Sequence, residues 1–342
     1  MQSSSSLRRP QLRSGGAGYE FGGEQNTRAS ARSAGAKPIL LSRLTFAKAA
    51  AALIFLLVVS LFFAYERLTA HLAIHGGAEA RSETEVFDYE GKASNAADLV
   101  IVTGHAVLNF RSSLNRAGFD DGCWHLLPYQ IQRGMPQAIE AHIRAGVAEA
   151  TANPDALLVF SGGETRRDVG PVSEGASYFA VSDALSLWGP SSNSVRSRTV
   201  TEEYARDSYE NVLFSICRFH EITGAYPRHI TVISFSFKQR RFEDMHAYAL
   251  RWPSERLSYI GIDPLPKTGF DLALQTKGEL KNAASLFESD LYGCHSEQLV
   301  KKRESRNPFK RTSSYETTCG HEMTEIFNYC GPSLFQGNLP WD

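Results

Sequence analysis

"ALLVFSGGETRRD", residues 156–168, decides the fold. An apolar run ends at Ser161, Gly162 and Gly163, and a burst of charge follows. Such a run, bounded by glycine, is the pattern of a strand buried on both faces, and the glycines let the backbone turn sharply or approach another group closely. Similar runs recur along the chain: "LVIVT" at 99–103, "ITVISFS" at 230–236 and "LSYIGI" at 257–262. Helical patterns lie between them, near 133–151, 174–188, 202–223 and 238–251. Strand and helix in alternation imply right-handed βαβ crossovers, so the expected fold is α/β: a doubly wound, Rossmann-like parallel sheet with helices on both faces.

Ligands of such a sheet sit in the crevice outside the carboxyl ends of the strands. Those ends are followed by Gly104, His105 and Ala106; by Ser161, Gly162, Gly163, Glu164 and Thr165 with Arg166 and Arg167; by Phe237, Lys238, Gln239, Arg240 and Arg241; and by Asp263. Arg166 and Arg167 read as solvated. The stretch "TEEYARDSYENVLFS" admits two openings for its helix. Thr201 could cap it, with Glu202 and Glu203 in a first turn where the helix dipole favours acids. Alternatively 201–207 is a loop, the helix starts near Ser208 as its cap, and Asn211 turns toward the crevice.

With 342 residues, 42% of them hydrophobic, the chain can bury a large core. Its net charge of -1 argues against a general nucleic-acid binder. The balance conceals an asymmetry. Residues 1–48 hold Arg8, Arg9, Arg13, Arg28, Arg32, Lys37, Arg43 and Lys48 against Glu20 and Glu24, among much Ser, Gly and Ala. Such a composition reads as disordered over 1–45. "AAAALIFLLVVSLFFAY" follows without a charge, and counted from Phe46 it reaches the roughly 20 residues that cross a bilayer as a helix. Residues 46–66 are therefore expected to anchor the chain in a lipid bilayer as a signal-anchor rather than a cleaved leader, because the run lies far from the N-terminus and is followed by bulky Tyr65, Glu66 and Arg67. The basic flank places the N-terminus in the cytoplasm. The remaining chain would then face a lumen or the exterior, with the endomembrane system, Golgi or endoplasmic reticulum, as the expected location.

Residues 67–97 read as a linker, 98–265 as the sheet domain, and 266–342 as a helical and loop-rich extension packed on it. Within the extension, Phe270, Leu272, Leu274, Leu280 and Leu286 are expected to pack, "KKRESRNPFKRTSSYE" reads as a solvated basic loop, and the aromatic tail from Cys319 to Asp342 should fold back onto the domain. Cys123 and Cys217 stand alone, the latter expected as a buried thiol in a helix. Cys294, Cys319 and Cys330 cluster where an oxidising lumen would allow a disulfide, in a pairing the spacing leaves open. There is no zinc-like Cys/His spacing and no Asn-x-Ser/Thr sequon.

The succession "LVIVTGH", "VFSGGETRRDVGPVSEGASYF", "TEEYARDSYENV" and "VISFSFKQRRF" resembles the SanA and YdcF-like family, domain-of-unknown-function family 218, and especially its fungal membrane-anchored branch. The resemblance covers roughly residues 98–263. It matches Ser161, Gly162 and Gly163 to the family's Ser-Gly-Gly loop and Glu174 to the acid opening the next helix. Glu202 matches the first glutamate of the Glu…Asn-Thr-x-Glu-Asn block, and Glu210 and Asn211 match its end; Asp207 and Ser208 stand where Asn-Thr is usual. Arg240 matches an arginine after the third apolar strand, while Phe237 replaces the histidine that commonly precedes it.

The resemblance implies a polar pocket, with S-adenosylmethionine or another nucleotide-like ligand as its cofactor class. Glycine-loop amides and helix N-termini bind anions, and Lys238 with Arg240 could clamp one. The expected ligand site comprises Gly104, His105, Ser161, Gly162, Gly163, Glu164, Ser208, Asn211, Ser234, Lys238 and Arg240. Glu174, Glu202 and Glu210 are the candidates for a carboxylate base or metal ligand. Two functions of different class follow: an enzyme acting on a small phosphorylated, nucleotide-like or sugar-linked substrate, or a membrane-tethered scaffold that kept the fold without the chemistry. The missing histidine favours the second.

Overall fold

The computed structural model describes residues 93–189 and 192–342, together with 57 and 59–61. It divides into two units, Met1–Glu79 and Ala80–Asp342. In the first unit, residues 57 and 59–61 are helical; most of the expected 46–66 span, like the 1–45 and 67–92 segments, lies outside the described residues. Among the described residues no helix is long and apolar enough to cross a membrane.

The second unit is built on five parallel strands: β1 (Asp98–Thr103), β2 (Ala156–Ser161), β3 (Thr199–Glu202), β4 (Ile230–Ser234) and β5 (Leu257–Gly261). Their spatial order is β3-β2-β1-β4-β5, so the direction of winding reverses between β1 and β4. Alternate side chains feed two cores. Leu99, Ile101, Leu157, Val159, Ile230 and Val232 enter one; Val100, Val102, Leu158, Phe160 and Ile233 enter the other. Burial on both faces is why these strands read as continuous apolar runs rather than alternating ones.

Helix α1 (Met135–Ala152) and helix α2 (Glu174–Ala184) cover one face. The other is covered by helix α3 (Ser208–Thr223) and a π-helical segment, Arg241–Ala247. The second opening for α3 is the observed one, with a different cap: Asp207 accepts from the Glu210 amide at 3.0 Å, and Gly224 at φ 70° ends the helix. Thr201 is no cap, because residues 199–202 are the β3 strand. The short "TVTE" carries too few apolar residues to announce a strand, yet Thr199 and Glu202 are fully buried.

After β5, helix α4 (Leu272–Glu279) is capped by Asp271 and continues through a π-helical turn, Leu280–Ala284. Leu272, Leu274 and Leu280 do not pack as expected. They are exposed, since α4 lies over a cavity instead of the sheet; Leu286 does reach the core. The basic stretch is not a solvated loop either. Its first five residues, 301–305, are the end of helix α5 (Glu297–Ser305), which is capped by Ser296 and seated by the buried Leu299. The tail adds Phe335, Leu339 and Trp341 to the core. Cys217 is not a free thiol: it is bonded to Cys319, and Cys294 to Cys330, leaving Cys123 as the free cysteine.

A cationic cavity at the switch point

The carboxyl ends of the strands form a row of polar side chains. Thr103, Ser161 and Glu202 are in register. Ser161 Oγ donates to Glu202 Oε2 at 2.7 Å and accepts from Asn211 Nδ2 at 2.8 Å. Glu202 Oε1 accepts from the Tyr204 and Ala205 amides at 2.7 and 3.1 Å. Burial pushes its carboxyl up to about 7, against the pull of these hydrogen bonds. On the other side, Thr103 Oγ1 donates to Ser234 Oγ at 2.8 Å, and His105 Nε2 lies 3.4 Å from the same oxygen.

The glycines serve this scaffold. A Cβ on Gly104 would lie 2.5 Å from Glu174 Cβ, one on Gly162 2.8 Å from the same atom, and one on Gly175 2.5 Å from the Phe160 carbonyl. Only glycine lets the start of α2 sit directly on the strand ends. The loop amides are also occupied: Gly104 N–H donates to Ser161 O, Gly162 N–H to Glu202 O and Gly163 N–H to Ala205 O. The expected cradle of glycine amides is therefore absent, because the protein's own carbonyls have taken those donors.

Outside the strand ends, where the sheet reverses direction, lies a cavity of about 730 Å³. Gly104, His105, Glu174, Ser208, Asn211 and Lys238 line it, as the sequence suggested. Ser161, Gly162, Gly163, Glu164 and Ser234 do not. Ser161 and Ser234 lie in the polar row beneath, and Glu164 pairs with Arg311. Glu202 lies in that row too, while Glu210 is engaged by Arg206 and lies 3.6 Å from Arg303.

Arg240 is also misplaced by the sequence reading. It is 53% exposed and pairs with Glu288 on the surface, whereas its neighbour Arg241 lines the cavity, 3.1 Å from Glu279. The chain winds through a short 3-10 turn into the π-helical segment there, so adjacent residues face in very different directions. Arg166, expected to be solvated, lines the cavity and pairs with Asp168.

Sequence reasoning missed the wall supplied by the C-terminal extension. Lys302 and Arg306, one helical turn apart at the end of α5, both line the cavity. Their spacing places them on one side of a helix, but a run so rich in Lys and Arg reads as solvent-facing. The cavity in all collects Arg133, Arg166, Arg206, Lys238, Arg241, Lys302 and Arg306 against Glu174, Asp207 and Glu279.

Several charges have partners. Arg303 Nε lies 2.5 Å from Asp207; burial alone would raise that carboxyl, but the guanidinium brings it down to about 2. Lys238, Lys302 and Arg306 form no ion pair among the described residues. Burial, reinforced by Arg241, lowers Lys238 to about 7. Burial, reinforced by Arg306 and Arg241, lowers Lys302 to about 8. Glu174 accepts from Thr165 Oγ1 at 2.7 Å, and burial raises its carboxyl above the usual range. Burial also keeps His105 neutral, far below its ordinary value. Among the described residues no cluster of His, Cys, Asp and Glu suits a metal ion.

Fold and site together define a doubly wound α/β protein with a cation-rich cavity at its switch point. The chain is similar to "Uncharacterized protein YOR238W" of Saccharomyces cerevisiae, at 33% identity over a match covering 56% of this chain and 76% of the yeast protein, and it belongs to that protein's family. No family model and no solved structure matches it.

Proposed function

We propose that the cavity binds a small, multiply charged anion, nucleotide-like or otherwise phosphorylated, and that the domain is held at a membrane by residues 46–66. The observation that carries the ligand reading is the cluster of Lys238, Lys302 and Arg306, three cations facing one cavity with no carboxylate paired to them. Buried cations of one sign repel each other and are desolvated; an anion relieves both costs. The walls add Tyr129, Phe237 and Phe270, flat surfaces suited to a ring. Among nucleotide-like ligands the excess of cations favours a phosphorylated one over S-adenosylmethionine, whose sulfonium adds another positive charge. The uncharged run from Ala49 to Tyr65 supports the membrane reading, as do the cations that precede it. A relationship to the SanA and YdcF-like proteins fits the Ser-Gly-Gly loop lying against Glu174.

The decisive experiment is the unfolding midpoint of the full chain in detergent, titrated with pyrophosphate, nucleoside diphosphates and S-adenosylmethionine. A ligand at 100 times its Kd should add about 2.7 kcal/mol of stability. The reading expects a concentration-dependent rise with the phosphorylated compounds that the double variant Lys302→Ala, Arg306→Ala removes. A folded protein that responds to none of them would leave the scaffold reading, which Phe237 in the histidine's place favours. For the anchor, the chain should stay with membranes through alkaline carbonate washing, and deletion of 46–66 should release it.

A further inference from the structure

Among the three unpaired cations, Lys238 is set apart by its surroundings. Its Nζ lies 3.3 Å from His105 Nδ1, 5.0 Å from the centre of the Phe235 ring and 6.0 Å from that of Phe237. The neutral imidazole accepts from this amine through Nδ1, which leaves its Nε2–H for Ser234 Oγ. Lys302 and Arg306, by contrast, come from α5 and form a different wall. A lysine flanked by aromatic rings and other cations, with no carboxylate ion-paired to it, is the arrangement that yields a neutral amine nucleophile; a lysine that only holds a phosphate needs neither rings nor an imidazole.

We propose that Lys238 is the reactive amine of this cavity and forms an imine with the carbonyl carbon of a phosphorylated aldehyde or ketone whose phosphate is held by Lys302 and Arg306. This rests on the anion-binding reading and names the substrate class. The neutral Nζ attacks the carbonyl carbon, the C–N bond forms, and the carbonyl oxygen takes a proton to give a carbinolamine. The nitrogen lone pair then expels that oxygen as water, the C–O bond breaks, and the C=N bond remains. Both hydrogens of the departing water balance the two N–H bonds lost from the amine, so no oxidant or reductant is needed. Glu174, whose carboxyl is raised by burial and acted on by the Lys238 charge, supplies the proton for the departing oxygen and receives one from nitrogen.

The test is reductive trapping on the full chain with pyridoxal 5′-phosphate, an aldehyde bearing a phosphate, and sodium borohydride, with the modified lysine located by peptide mass. At substoichiometric reagent and neutral pH the label should concentrate on Lys238. An amine at about 7 instead of 10.5 has about a thousandfold more of its neutral form at that pH. The groups facing it are His105, His142, Glu174, Arg241, Glu279, Lys302 and Arg306, and its labelling rate should level off just above neutrality. The exposed Lys267, Lys277 and Lys281 should take little label at substoichiometric reagent. Pyrophosphate should compete. Lys302→Ala with Arg306→Ala should slow labelling by the phosphorylated aldehyde more than labelling by pyridoxal, which lacks the phosphate and loses only the help those two cations give in keeping the amine neutral; Lys238→Arg should take no label at that position. Label spread evenly over surface lysines overturns the imine. So does an unlabelled Lys238 in a chain whose midpoint pyrophosphate still raises, an outcome that retains the anion site. An unlabelled Lys238 with no response to pyrophosphate refutes both.

Discussion

The Ser-Gly-Gly loop after β2 and the helix α5 both bring polar chain to the same end of the sheet, but they use it in opposite ways. In the loop the partners come from inside the protein: the glycine amides donate to carbonyls, Ser161 bonds Glu202 and Asn211, and Glu164 pairs with Arg311. In α5, Lys302 and its neighbour Arg306 arrive at the cavity with no ion-pair partner among the described residues. A recognisable motif marks where the backbone must be tight; a charge without an ion-pair partner marks where a group of opposite sign would be favoured.

If that contrast holds, substitutions in the loop cost stability and substitutions in α5 cost binding. The largest loss is expected for Gly175→Ala, whose Cβ would lie 2.5 Å from the Phe160 carbonyl and 2.9 Å from that of Glu202. Denaturant unfolding should show a loss on the order of 3 kcal/mol, as for an overpacked core; an unchanged midpoint would mean the fit of α2 onto the strand ends is looser than described. Ser161→Ala comes next. It strips a partner from both Glu202 and Asn211 and should cost about 2 kcal/mol in the same assay. Lys302→Ala with Arg306→Ala inverts the pattern: unfolding without ligand should be unchanged or slightly harder, while pyrophosphate affinity by calorimetry should fall at least about tenfold, or 1.4 kcal/mol.

A pH series sharpens the same contrast. Lys238 and Lys302 are lowered in the folded protein to about 7 and about 8. Between those values and the ordinary lysine value the unfolded chain holds more protons than the folded one, so their contribution to stability rises with pH across that window. A bound anion favours the charged lysines, so its affinity should fall over pH 7–8. Anion binding that strengthens with rising pH would place the ligand elsewhere. The smallest effect is expected for Arg240→Ala, an exposed residue paired with exposed Glu288: within about 0.5 kcal/mol in stability and no change in binding. A clear loss of affinity would restore Arg240 to the site.

Much of the sheet was legible because β1, β2 and β4 are runs of apolar residues buried on both faces, and the part-buried edge strand β5 still carries a short apolar run. β3 was not, since a four-residue strand with Thr199 and Glu202 inside looks like the start of a helix. At the site, the residues just beyond strand ends could be found by topology alone, Asn211 from the alternative helix start near Ser208, and Glu174 from the resemblance. Two kinds of information were missing. The one-residue error between Arg240 and Arg241 reflects a 3-10 turn running into a π-helical segment, which no regular periodicity encodes. Lys302 and Arg306 were hidden because their position depends on distant packing: Leu299 and Tyr315 enter the core, and the bonds Cys294–Cys330 and Cys217–Cys319 tie the extension down.

The extension also imposes an order on biosynthesis. All five strands have been translated once the ribosome has passed Gly261. The second wall of the cavity is translated later, and the partner of Cys217 later still, at Cys319. A chain stopped between Gly261 and Lys302 would therefore carry all five strands but lack Lys302 and Arg306, together with the side chains from Tyr315 to Trp341 that complete one of the two cores.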